Sequence, residues 1–146
     1  MHTTRSRIRR ILLLGNSITR HPPKADIGWT NNFGMAASSQ EKDYVHLLLQ
    51  RFADAAGGKA PEARIENGAD FEREYATYPI ATKFKELAEF KADTVILCIA
   101  ENVPKLATQA ERKFANGGVG IHPGDTGMAA IAEAIWGAVT GKAATK

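Results

Sequence analysis

Four consecutive apolar residues, Ile11-Leu12-Leu13-Leu14, emerge from an arginine-rich start and stop at Gly15-Asn16-Ser17. A short apolar run that ends on a turn signal reads as a strand buried on both faces, so the first strand is expected over about 7–14. From Ser17 to Gln40 the periodicity disappears, and Pro22, Pro23, Gly28 and Gly34 interrupt the chain. That predicts a long irregular segment with room for one short helical turn within 30–37. Helical spacing returns with Val45, Leu48, Leu49, Phe52 and Ala56 and stops at Gly57-Gly58. This is a helix over about 41–56 with a glycine terminator.

Residues 63–67 form a weaker strand pattern, short and charged, whereas Ile80, Phe84, Leu87 and Ala88 mark a helix leading into Asp93. Residues 94–100 are an unbroken apolar, β-branched run, which suits a strand covered on both faces. Residues 105–114 have helical spacing but are mostly polar. In the last helix Met128, Ile131, Ala132, Ile135 and Val139 share one stripe, and Asp125 or Thr126 can cap its start. Strands alternating with helices call for right-handed crossovers in an open parallel sheet. The expected fold is a single three-layer α/β/α domain over 1–146, with 1–6 and 142–146 disordered.

Composition narrows the function classes. A chain of 146 residues makes one domain, and its net charge of +3 comes partly from Arg5, Arg7, Arg9 and Arg10. That arm has no interleaved aromatics, so it reads as a solvated leader rather than a nucleic-acid surface. The apolar stretch behind it is too short for a signal-peptide core, and no membrane span is expected. Cys98 is the only cysteine. With no internal disulfide possible and the thiol in an apolar run, a reducing, cytoplasmic setting fits best. No His, Cys, Asp or Glu cluster has metal-ligand spacing, and no metal or cofactor is assigned. The Gly15–Arg20 segment lacks both the P-loop lysine and the dinucleotide glycine pattern, so a nucleotide binder ranks low.

Two pieces carry candidate chemistry. Ser17 sits where a buried strand ends and the chain must turn, a position where α/β proteins hold a nucleophile, and His122-Pro123-Gly124-Asp125 precedes the last helix. A hydroxyl is a poor nucleophile until an imidazole within hydrogen-bond reach accepts its proton. Each residue also has a structural reading: Ser17 as a turn or N-cap residue, Asn102 as a strand-end turn, His122 as a loop residue before a capped helix. His21 reads as a loop residue, His46 as a partly buried helix residue and His2 as part of the disordered start. Trp29 and Phe33 either line an acyl or sugar pocket or pack beneath the long loop.

These residues resemble the SGNH (GDSL-like) hydrolases, serine esterases and acylhydrolases on a flavodoxin-like parallel sheet. The family's first block, Gly-Asp-Ser after strand one, reads Gly15-Asn16-Ser17 here. Its third block, Gly-x-Asn-Asp, falls on Ala100-Glu101-Asn102-Val103, and its last, Asp-x-x-His-Pro, on Val119-Gly120-Ile121-His122-Pro123. The resemblance implies Ser17 as nucleophile, His122 as general base and an oxyanion hole made of the Ser17 amide, the Asn102 side chain and the Gly68 amide. It implies a small-molecule ester substrate, with no cofactor and no nucleic-acid or membrane partner.

The chain departs from that pattern in two ways. Val119 cannot accept a hydrogen bond from the imidazole, so orientation must come from a backbone carbonyl or from Asp125, whose other expected role is N-cap. Only residues 103–121 separate Asn102 from His122, where the family places two further strands and their helices. The sheet is therefore expected to shrink to about three strands, leaving the 94–100 strand as an apolar edge open to self-association. The last helix can still cross back beside the 41–56 helix and return its N-terminal loop to the sheet's carboxyl edge. An ester hydrolase and a catalytically degenerate binding or assembly module both fit this reading.

Overall fold

In the computed structural model, which describes residues 8–102 and 122–141, the leucine run forms β1 (Arg10–Gly15). It is the middle strand of a three-stranded sheet, flanked by β2 (Glu62–Asn67) and β3 (Thr94–Cys98) in the order β2-β1-β3. Both pairings are parallel, and the register sets Leu13 against Ile65 and Ile96, and Gly15 against Asn67 and Cys98. Among the described residues the α-helices are α1 (Tyr44–Ala55), α2 (Ala69–Glu74), α3 (Ile80–Lys83), α4 (Lys85–Glu89) and α5 (Asp125–Thr140). Helices flank both faces of the sheet, as in a small flavodoxin-like α/β fold.

The central strand is apolar throughout because both of its faces are covered. Ile11 and Leu13 point to one side, where Val45, Leu48 and Phe52 of α1 and Met128 and Ala132 of α5 close over them. Leu12 and Leu14 point to the other and pack with Leu87 of α4, flanked by Phe84, Phe90 and Ala92. α1 and α5 lie side by side over the first face, joined by an edge-on contact of Phe52 with Trp136 at 5.2 Å and by an Arg51–Glu133 ion pair. The expected return of the last helix to the 41–56 helix is therefore what the chain does.

Several boundaries differ from expectation for identifiable reasons. α1 starts at Tyr44 rather than 41 because Gln40–Lys42 form a 3-10 turn and the buried Asp43 caps the helix, accepting from the His46 amide at 2.8 Å. Residues 30–37 make turns instead of a helix. Phe84 divides the helix expected over 80–88 into α3 and α4. α2 has no apolar stripe in the sequence and was not expected. Gly124, not Asp125 or Thr126, occupies the N-cap of α5, and Val139 on its last turn is 39% exposed. Cover on both faces holds for β1 but not for β3, where Val95 is 53% and Leu97 60% exposed. β3 is an edge strand among the described residues. Residues 105–114 and Val119, like 1–6 and 142–146, lie outside the described residues.

Candidate functional site

The turn after β1 is fixed by close packing. A Cβ on Gly15 would fall 1.9 Å from the Thr19 hydroxyl and 2.8 Å from the Cys98 carbonyl, so no larger residue fits where β1 meets this turn. Asn16 follows, fully buried; its Oδ1 accepts from the Ile18 amide at 3.1 Å and its carbonyl accepts from the Thr19 and Arg20 amides. Ser17 is held between these bonds with its side chain directed away from the core. The Ser17 carbonyl accepts from Met35, which ties the long loop to the turn. Thr19 is anchored from behind, its hydroxyl 2.7 Å from that of the buried Tyr44.

The Ser17 Oγ lies 2.6 Å from Nε2 of His122. Ser17 is thus a turn residue in its backbone, but its hydroxyl is engaged by the imidazole. For Nε2 to accept the hydroxyl proton, the ring must carry its own proton on Nδ1. Asp125, three residues on, does not orient the ring. Its carboxylate accepts from the Ser38 amide and hydroxyl, both at 2.8 Å, and from Lys42 Nζ at 3.2 Å. The Ser38 bonds, amide first, and then Lys42 hold the Asp125 carboxyl below its ordinary range. Asp125 is therefore a clasp between the loop before α1 and the start of α5, correcting both roles expected for it.

Asn102 comes from the turn after β3. Its backbone N–H and its Nδ2 donate to Oε2 of Glu72, at 2.7 and 2.8 Å. Glu72, from α2, is 1% exposed, and its other oxygen accepts from Asn16 Nδ2 at 3.1 Å. The same Asn16 amide also donates to Glu101. Ala100, where the resembled family has glycine, takes a φ of 109°, a conformation that favours glycine.

Gly68 does not serve as expected. Its N–H donates to the Gly15 carbonyl, and the next amide, of Ala69, donates to Asn67 Oδ1 at 2.9 Å. Both donors at the start of α2 are spent on the β1–β2 junction, so the Gly68 amide is unavailable to an oxyanion. The Ser17 N–H has no acceptor among the described residues and lies beside the Ser17 side chain.

Ser17, His122 and Asn102 open onto a cavity of about 460 Å³, within the range of small-molecule sites. Its wall is apolar at Pro22, Ile27 and Met35 and charged at Lys24, Asp70 and Arg73. His21 is a lining loop residue, and His46 bonds Asp43 at the start of α1. Trp29 and Phe33 do not line the cavity: they meet edge-on at 5.3 Å, and the indole N–H donates to the His21 carbonyl, bracing the loop from beneath. The Cys98 thiol is pushed up by burial and by the Glu101 carboxylate, which keeps it protonated. Among the described residues no group of side chains could hold a metal ion, and no helix is long and apolar enough to cross a membrane.

Asn16, Glu72 and the Asp125 clasp escaped sequence reasoning. Asn16 carries a signal, since an asparagine directly after a buried strand often turns the chain through its own side chain. Glu72 lies in the charged stretch 70–74, where nothing in the pattern marks one carboxylate as buried. Compared with protein-family models, curated proteins and solved structures, the chain gives no match.

Proposed function

We propose that this chain is a cofactor-free serine hydrolase of the SGNH type, acting on an acyl or acetyl ester. The observation that carries the reading is the 2.6 Å contact between Ser17 Oγ and His122 Nε2 at the mouth of a cavity. In the reaction Oγ attacks the ester carbonyl while Nε2 takes its proton, a step to which general base catalysis contributes about 10²- to 10⁴-fold. Negative charge then develops on the carbonyl oxygen, where the Ser17 N–H and an Asn102 Nδ2 hydrogen are the candidate donors, each worth roughly 3–4 kcal/mol when well placed. The protonated His122 passes its proton to the departing alcohol, leaving an acyl group on Ser17. Water, deprotonated by His122, attacks that acyl group, and as the acyl–Oγ bond breaks His122 returns the proton to Ser17 Oγ and the acid is released.

Pro22, Ile27 and Met35 offer an apolar wall for the acyl chain. The single protonated thiol at Cys98 fits a reducing, cytoplasmic setting. Turnover of a short-chain chromogenic ester tests the reading: Ser17→Ala is expected to abolish it and His122→Ala to lower it by about 10²- to 10⁴-fold. Equal turnover by wild type and Ser17→Ala would refute it. A binding module on the same fold is the second reading, favoured by the diversion of Asp125 and of the Gly68 amide to internal bonds. It predicts ligand binding in the cavity with no turnover.

A further inference from the structure

We propose that Glu72 is a positioning residue for the chemistry at Ser17, its buried carboxylate setting the direction in which the Asn102 side-chain amide donates. The proposal rests on the hydrolase reading and adds to it a residue outside the resembled motifs. A carboxylate is almost never fully buried without partners, and cations usually supply them. Here no cation pairs with Glu72 among the described residues, and its chain neighbour Arg73 pairs with Asp70 instead. Glu72 instead accepts three N–H bonds, from Asn16 Nδ2, the Asn102 backbone and Asn102 Nδ2. One carboxylate thereby links the turn carrying the nucleophile to the turn after β3.

The consequence for Asn102 is geometric. An amide can present either its carbonyl or its NH₂ end, and an accepting oxygen at 2.8 Å selects the NH₂ end. With one Nδ2 hydrogen held by Glu72, the planar amide fixes the direction of the second. The backbone bond to the same oxygen stops the whole residue from shifting. An oxyanion donor is effective only when it needs no reorientation during the reaction, so the gain from this clamp belongs in kcat rather than in substrate binding.

A double-mutant cycle on ester turnover, with Glu72→Gln, Asn102→Ala and the pair, separates this role from a general structural one. Asn102→Ala is expected to lower kcat by about 10²- to 10³-fold and Glu72→Gln by about tenfold, each with KM little changed. Because Glu72 acts through Asn102, Glu72→Gln should cost nothing further in the Asn102→Ala background. In the wild type, one of the two Asn102 side-chain amide protons, the one held by Glu72, should be protected from solvent exchange in NMR, a readout that needs no variant to fold. Multiplying effects in the cycle, a rise in KM alone, or rapid exchange of both Asn102 side-chain amide protons would overturn the positioning role while Ser17-dependent turnover survives. Wild-type turnover that does not depend on Ser17 would overturn the hydrolase reading and this role with it.

Discussion

Ser17 Oγ and His122 Nε2 meet at 2.6 Å although 105 positions separate them in the chain. The meeting follows from packing. β1 ends at the sheet's carboxyl edge, and α5 lies along α1 so that its leading loop returns to the same edge. Met128, on the first turns of α5, is fully buried against this core, and its Cε lies 3.2 Å from where a Cβ on Gly34 would stand. Met128→Ala is expected to destabilise the protein by about 2–5 kcal/mol in denaturant unfolding and to weaken ester turnover, because the helix whose leading loop carries His122 loses its anchor.

Gly15→Ala forces a methyl to within 1.9 Å of the Thr19 hydroxyl and 2.8 Å of the Cys98 carbonyl. Rotating the hydroxyl does not clear the space, because the Thr19 Cβ also lies 2.8 Å away and the Cys98 carbonyl belongs to the β1–β3 ladder. The expected outcome is a loss of at least about 1–3 kcal/mol, read by thermal unfolding, with Ser17 reactivity lost alongside.

Ala100→Gly acts in the opposite direction. With φ at 109°, the alanine Cβ is strained, at a cost of about 1–3 kcal/mol. Glycine removes that strain and gives back a smaller amount through the greater freedom of the unfolded chain. A net gain of about 1 kcal/mol, seen as a melting temperature raised by roughly 2–4 °C, is the expected result.

Asp125 ties stability to acid. Its carboxyl titrates below the ordinary value of 3.8 because the Ser38 amide, the Ser38 hydroxyl and Lys42 favour the charged form. A group whose folded-state pKa is depressed contributes stability in full above its unfolded value and loses it as the pH falls through the folded one. In Asp125→Asn this contribution is absent at every pH. The difference in melting temperature between wild type and variant should therefore be largest above about pH 5 and shrink toward pH 2. A difference that grows on acidification would contradict the clasp.

The parts of this fold legible in the sequence are those where one physical signal dominates. β1 announces itself because a middle strand covered on both faces must be apolar at every position, and α1 because a single stripe faces the core. β3 is legible in part: its apolar run implies two covered faces, yet Val95 and Leu97 are exposed, while the edge position expected from the short Asn102–His122 spacing is where it lies among the described residues. At the site, the placement of Ser17 was readable from the strand-to-turn boundary. The role of Asp125 was not, since its partners Ser38 and Lys42 lie more than eighty positions away and carry no periodic mark. Gly68 failed as a donor for a related reason, because which carbonyl an amide meets depends on the register between β1 and β2.

The central claim is that the Ser17 hydroxyl is activated by His122. Reaction with a fluorophosphonate followed by peptide mass spectrometry tests it most directly. The account predicts a single phosphonate adduct on Ser17 of the wild type, absent from Ser17→Ala and slowed by about 10²-fold or more in His122→Ala. A wild-type protein that takes up no label at Ser17, or one labelled there equally fast without the imidazole, would contradict it.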